Sequence, residues 1–472
     1  MPRAALHNLG CKVNAYETEA MEQLLAAGGY EIVPFEEKAD VYIINTCSVT
    51  NIADRKSRQM LHRAKKRNPE AVVVAAGCYV QVAADALKED GAVDVIIGNN
   101  QKGQLLEILK EFFGGGREDH SYVLDIAHTN EYEPLTVKSL GDKTRAFIKV
   151  QDGCNQFCSY CIIPYARGRV RSRRPEEVIE EVRGLAEQGY QEVVLTGIHL
   201  SSYGLDFEDM EGAGRPGDYQ AGGVLYRPWL LELIRQVGGV KGIQRVRLGS
   251  LEPRIITREF AGELKKVETL CPHFHLSLQS GCDATLKRMN RHYTAAQYEE
   301  CCGILRETFD NPAITTDVIV GFPGETKEEF EITEDFAARI RFYEMHVFKY
   351  SQRAGTRAAV MPDQVSEREK GERSDRLLSL ADGMSEEYRR SFVGSRQEIL
   401  LEERVMIGDK AYDVGFTRRY VKAALPAQGE ADLKKGRLVT AQIVGLLNGE
   451  TLLGEPGQQD AVPDSERPKE KR

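Results

Sequence analysis

Gly153–Arg174 reads GCNQFCSYCIIPYARGRVRSRR, with Cys154, Cys158 and Cys161 at the spacing C-x3-C-x2-C. A loop this short can wrap three thiolates around one cube of iron and sulfide. Soft thiolate selects iron–sulfur or zinc over hard cations. A structural zinc site wants a fourth Cys or His close by, and none follows before His199. Four irons held by three cysteines leave one iron able to hold a small molecule. The competing readings are a closed zinc site or buried free cysteines, and chance triplets at this spacing are rare.

Working outward, Ala146–Gln151 reads as the strand that delivers the chain to Cys154. Pro175 opens a helix with Glu176 and Glu177 in its first turn, as the helix dipole prefers. Strand patterns follow at Glu192–Thr196, Gln244–Leu248, His273–Leu278, Ala313–Val320 and Tyr343–Phe348, with helical segments between. Six βα units predict a partial parallel barrel over residues 140–387, with its chemistry at the carboxyl ends of the strands. GFPGE at Gly321–Glu325 lacks the ending of a Walker motif and reads as a tight turn. Cys301 and Cys302 suit a buried helix face.

Upstream, over residues 1–130, strand-sized apolar runs again alternate with helical patterns: Ala4–Leu9, Val41–Asn45, Val72–Ala76 and Asp94–Ile97 each precede a helix. That alternation predicts a doubly wound parallel α/β sheet. Cys11, Cys47 and Cys78 each lie within two residues of a strand end, in LGCKVN, NTCSVT and AGCYVQ. Parallel strands put all three loops on one sheet edge, where ligands bind. Singly, each reads as a small apolar residue; together they predict a second three-thiolate site. Asp125–Asp142 reads as a linker.

Downstream, over residues 388–455, the texture changes to short alternating strands: Ile399–Glu403, Ala411–Thr417, Val421–Ala424 and Arg437–Leu446 suggest a small β-barrel. Arg418, Arg419, Tyr420 and Lys422 form a basic–aromatic cluster suited to phosphate contact and base stacking, against the alternative of a solvated charged face. Arg55–Arg67 and Arg167–Arg174 are basic runs directly after two of the cysteine loops, placed to draw a phosphodiester chain across the active face. Asp206–Tyr226 is acidic and Gly-rich, an expected surface excursion, and the tail from Glu455, chiefly 456–472, is expected to be disordered.

The 472 residues carry a net charge of −9, so polyanion binding must rest on local basic stretches. Ten cysteines without a secretory signal read as reduced thiols and metal ligands. No apolar run reaches membrane-spanning length. The expectation is a cytoplasmic protein with no membrane partner.

The C-x3-C-x2-C loop, with Tyr160 before its third cysteine, resembles that of the radical S-adenosylmethionine (SAM) enzymes. GCKVN, NTCSVT, AGC and VDVIIGN resemble the N-terminal domain of the methylthiotransferases, and the C-terminal strands resemble the OB-like TRAM domain. The resemblance runs from Leu9 to about Leu453. It implies two [4Fe–4S] clusters, one on Cys154, Cys158 and Cys161 that generates a radical from SAM, and an auxiliary one on Cys11, Cys47 and Cys78 that takes part in sulfur insertion. One SAM would supply the radical and another the methyl. Tyr160, Gly197, Glu252 and Gln279 are then expected near SAM, Asp317 near the substrate, and Arg418, Arg419 and Lys422 on RNA. Each rim residue competes with a role in satisfying loop backbone. GCKVN resembles the subfamily that converts N6-threonylcarbamoyladenosine 37 of tRNA to its 2-methylthio derivative. The sister subfamily acts on isopentenyladenosine, and a rival of another class is a non-catalytic iron–sulfur RNA-binding or electron-transfer protein. A low-potential electron donor and a sulfur source are the further partners implied.

Overall fold

The computed structural model describes residues 1–115, 119–138, 141, 143–207, 228–427 and 435–456. Strands β1 (Arg3–Asn8), β2 (Glu31–Ile32), β3 (Val41–Thr46), β4 (Val72–Gly77), β5 (Val95–Ile97) and β6 (Ser121–Tyr122) form a parallel sheet in the order β2-β1-β3-β4-β5-β6. VYIINT and VVVAAG are buried along their whole length. A strand with both faces covered has no reason to alternate. Helices α2 (Asn51–Arg67) and α3 (Cys78–Lys88) cover one face around Tyr42, Ile44, Leu61 and Val73. Helices α1 (Lys12–Ala27) and α4 (Leu105–Phe113) cover the other around Ile43, Val74, Met21 and Leu109.

Helix α1 is buried on two sides. Met21 and Leu25 face the first sheet, whereas Tyr16 and Ala20 belong to the core of the central unit. Its polar residues Asn14, Glu17 and Thr18 are buried as a result. The expected linker is also part of the packing: Leu135 and Val137 join the central core, and a short helical turn occupies Ile126–His128.

The central unit is an open barrel of six parallel strands. β7 (Arg145–Asp152), β9 (Glu192–Gly197) and β10 (Arg245–Leu248) form one sheet, with the short antiparallel β8 (Arg171–Ser172) at its edge. β11 (His273–His275), β12 (Ala313–Val320) and β13 (Glu344–Lys349) form the next. Bridges Val246–Leu270 and Leu251–Leu276 join them. β11 is shorter than the expected His273–Leu278, and the chain beyond it turns at Gln279, whose φ is +69°.

The 24-residue helix Glu367–Arg390, opened by a capping box of Ser366 and Glu369, leads to the closing barrel. β14 (Arg396–Ile407), β15 (Lys410–Thr417), β16 (Lys422–Pro426), β17 (Leu438–Asn448) and β18 (Thr451–Pro456) close in the order β14-β15-β16-β18-β17. The fifth strand was not expected. β18 pairs with both β16 and β17, so the expected tail begins inside a strand; residues 457–472 lie outside the described residues. Of the expected excursion at 206–226, Asp206 accepts the Ser172 backbone N–H at 2.8 Å and Phe207 is buried, so the fold extends through both; residues 208–227 lie outside the described residues. No helix among the described residues is long and apolar enough to cross a membrane.

Candidate active site

Cys11 caps the start of α1, Cys47 follows β3 and Cys78 opens α3. Strands β1, β3 and β4 are neighbours, so their carboxyl ends bring the three loops together. Gly10 shows how closely: its φ is +101°, and a Cβ there would lie 2.8 Å from Cys47 Sγ. Burial pushes the Cys47 thiol up to about 11, and the nearby Cys78 and Cys11 add to the effect.

The second trio follows β7. Gly153, at φ +70°, has no room for a side chain, since a Cβ would fall 1.8 Å from Arg169 O. The loop is pinned by the Cys154 N–H to Gly168 O at 3.0 Å and the Ser159 N–H to Met289 O at 3.0 Å. Burial pushes the Cys154 thiol up to about 12 and Cys161 further, and neighbouring thiols raise both.

A four-iron group fits each trio. Cys11 and Cys47 are each raised by the charge of neighbouring cysteines of their own trio, and so are Cys154 and Cys161, which places the sulfurs of each trio near one another. Each trio also has an arginine on sulfur: Arg167 Nε lies 3.2 Å from Cys78 Sγ, and Arg291 Nη1 lies 3.2 Å from Cys158 Sγ.

Arg167 also joins the two sites. It ends helix α5 (Ile163–Arg167), directly after the second trio, and is fully buried. It binds Glu17 at 2.8 Å, Asp152 at 3.0 Å and Asn14 at 2.6 Å. Lys149 reaches both carboxylates at 2.6 Å. Despite burial, Arg167, Lys102 and Lys149 hold the Glu17 carboxyl well below the usual carboxylate range. The expected RNA-binding run Arg167–Arg174 is therefore corrected for three of its five arginines, while Arg169 and Arg174 stay exposed. Arg167, Arg171 and Arg173 are buried, and the Arg173 guanidinium pairs with buried Glu181. In α2, by contrast, Arg55, Lys56, Arg58, Arg63 and Lys66 are exposed.

The rim residues take varied positions. Half-buried Tyr160 packs edge-on to Phe322 at 6.4 Å. Gly197 abuts Gln151, whose Oε1 would lie 2.8 Å from an added Cβ and accepts the His199 N–H at 2.8 Å. Buried Glu252 accepts from Arg254 Nε at 2.7 Å, and its own N–H reaches Ser201 Oγ at 2.9 Å. The Gln279 N–H donates to Asp317 O at 2.8 Å. Asp317 lies 3.1 Å from His275 Nε2, and the ligand atoms of His275, Asp317 and His346 all fall within 4.8 Å of one another. Two histidines and a carboxylate suit zinc or non-haem iron, and also suit a hydrogen-bonding wall. The sequence reading missed both histidines. Period-two alternation in β11–β13 was the available signal.

Two sequence profiles match the chain: residues 3–98 fit "Uncharacterized protein family UPF0004" and residues 148–337 fit "Radical SAM superfamily". Among curated proteins, the threonylcarbamoyladenosine tRNA methylthiotransferase MtaB of Bacillus subtilis (strain 168) is 41% identical over 445 residues, covering 94% of each chain. The chain belongs to the radical SAM methylthiotransferase family. MtaB of Aquifex aeolicus is 39% identical, covering 87% of this chain and 96% of its own. The tRNA-2-methylthio-N(6)-dimethylallyladenosine synthase of Moorella thermoacetica is 36% identical, covering 83% and 85%. The radical SAM methyltransferase TsrM from Kitasatospora setae shares the fold at a TM-score of 0.54 and 15% identity, covering 76% of this chain and 74% of its own. As in the rest of the family, the cofactors are SAM and [4Fe–4S] clusters.

In this family member the basic cluster of the closing barrel faces inward. Arg418 donates to the carbonyls of Glu268 and Leu270, and Arg419 to those of Asp310 and Asn311. Tyr420 lies between Arg145 and Arg247, at 4.8 and 4.7 Å, and stacks on Phe416. These contacts fasten the barrel to the central unit. Lys422 lines a cavity between the barrel and the helix Glu367–Arg390, with Tyr343 and Arg389.

Proposed function

We propose that this chain is the tRNA methylthiotransferase that converts N6-threonylcarbamoyladenosine 37 to its 2-methylthio derivative. The observation that carries the reading is the pair of three-cysteine sites joined through buried Arg167, beside an open barrel. Cys154, Cys158 and Cys161 hold the cluster that works with SAM, and Cys11, Cys47 and Cys78 hold the auxiliary cluster. Bound together, these groups supply a 5′-deoxyadenosyl radical, a sulfur and a methyl. Arg167 and Arg291 each donate a hydrogen bond to a cysteine sulfur of one trio and so orient that ligand. Tyr160, Gly197, Glu252 and Gln279 line the SAM side of the rim, and Asp317, held by His275, orients the substrate base. The exposed lysines and arginines of α2 take tRNA phosphates; Lys422 is the member of the barrel cluster best placed to join them, since Arg418 and Arg419 are engaged in docking. A low-potential electron donor and a sulfur source complete the partners, and the setting is the cytoplasm.

The MtaB relatives support the threonylcarbamoyl substrate, and the dimethylallyladenosine synthases support the second reading. Nucleoside analysis of tRNA from a deletion strain separates them. The expected result is loss of 2-methylthio-threonylcarbamoyladenosine with the dimethylallyl derivative unchanged; persistence of the former overturns the substrate assignment. Anaerobic SAM cleavage by the reconstituted protein tests enzyme against binding protein.

A further inference from the structure

His275, Asp317 and His346 stand one on each strand of the second sheet of the open barrel, β11, β12 and β13. Phe274, Val318, Val320 and Met345 belong to the central core. Side chains alternate along a strand, so the three potential ligands share the opposite face, toward the barrel interior. Ile319, on that same face of β12, clusters with Tyr160, which directly precedes Cys161. The wall therefore looks toward the second cysteine loop. Phe348, two residues on from His346, stays 46% exposed, so the wall borders open space rather than packed side chains.

Strand register brings the three together. Asp317 pairs with His346, and His275 pairs with Thr315, two residues before Asp317. One ligand atom from each residue lies within 4.8 Å of the other two. His275 Nε2 is 3.1 Å from Asp317 Oδ2. Bonds of about 2.0–2.2 Å to one ion put two ligand atoms roughly 3 Å apart at a right angle and roughly 3.4 Å apart at the tetrahedral angle. The observed edge falls within that range. His346 stacks on the His275 ring at 6.1 Å and makes no hydrogen bond or ion pair among the described residues. The other nitrogen of His275, Nδ1, lies 3.0 Å from the hydroxyl of buried Thr315. A hydroxyl both donates and accepts. It can take the Nδ1 proton when Nε2 binds a metal, and an outer bond of that kind fixes the tautomer and orientation of a ligating imidazole.

We propose that His275, Asp317 and His346 form a site for one divalent transition metal, distinct from both cysteine trios. Two imidazoles and a carboxylate are the donor set that zinc and ferrous iron prefer. Three protein ligands leave at least one position open, and it faces the barrel interior. The use of that position, to hold an oxygen of the substrate beside Asp317, rests on the function proposed above. The site itself does not.

The test uses the reconstituted full-length holoenzyme with both clusters loaded, cleared of loose metal by a chelator, then given zinc and desalted. Wild type is expected to retain about one zinc per chain, with imidazole and oxygen neighbours and no sulfur in the zinc K-edge spectrum. His346→Ala is expected to lose the zinc, and Thr315→Val to weaken its binding by about 10- to 100-fold, with iron and sulfide unchanged. His346→Cys is expected to keep the zinc and gain a sulfur neighbour. A wild type that retains no zinc overturns the inference. A sulfur neighbour in wild type also overturns it, since it puts the ion on a cysteine trio, and so does zinc retained in full by His346→Ala. Where Ala lowers the iron content, His346→Cys decides: zinc bound without a sulfur neighbour overturns the site. Failure of the substrate assignment in the nucleoside analysis leaves each of these readouts in place.

Discussion

Arg167 Nε sits 3.2 Å from Cys78 Sγ, so a helix that begins two residues after one cysteine trio reaches a sulfur of the other. The same guanidinium is the partner of Glu17 and Asp152, both buried. The relative placement of the two trios is therefore maintained by an ion-pair network between the first sheet's α1 and the central β7.

Arg167→Ala leaves the carboxylates short of a cation they need. Breaking a buried pair from one side costs about 3–5 kcal/mol. The expected outcome is a matching loss in urea unfolding of the apo protein and reduced iron on the Cys78 side. Arg167→Lys keeps the charge but not the fork, and is expected to recover stability only in part.

The network also sets a response to acid. Neighbouring cations hold Glu17 and Asp152 below their ordinary values of 4.5 and 3.8. A depressed carboxylate stabilises the fold above its unfolded pKa, and that stability shrinks as pH falls below it. Urea midpoints are thus expected to decline below about pH 4.5, more steeply in wild type than in Glu17→Gln. Equal slopes would remove Glu17 from the account.

Iron content separates the two sites. Wild type is expected to hold about eight irons and either triple Cys→Ala variant about four. The variant lacking Cys11, Cys47 and Cys78 is expected to keep SAM cleavage, and the variant lacking Cys154, Cys158 and Cys161 to lose it. Iron and sulfide analysis with 5′-deoxyadenosine assays checks both.

Tyr420 holds the closing barrel through two guanidinium contacts. At roughly 0.5–2 kcal/mol each, their removal in Tyr420→Ala is expected to cost about 2 kcal/mol. Faster proteolytic release of the barrel, with SAM cleavage intact, is the readout.

Much of the site was legible because its chemistry is local. Cys154, Cys158 and Cys161 share one short loop by spacing alone, and the structure keeps that loop compact after β7. Cys11, Cys47 and Cys78 declare a common edge because strand–helix alternation dictates parallel strands, and parallel strands align their ends. The alternate face of β11–β13 was equally open to reading, and His275 and His346 were missed for want of applying it. The arginines were different. Arg167–Arg174 and Arg418–Arg419 look in sequence like cations offered to a polyanion, but the structure spends most of them on Glu17, Asp152, Glu181 and backbone carbonyls far along the chain.

The amino-acid order alone determined the α/β class, the grouping of six cysteines into two trios and the strands whose ends carry them, since these follow from spacing and period. Which cations face solvent, which bind the protein itself, and how the two trios meet across α1 were decided only by the tertiary structure. A charged side chain shows its sign in the sequence, but the free energy of that charge depends on the partner and the burial that folding supplies.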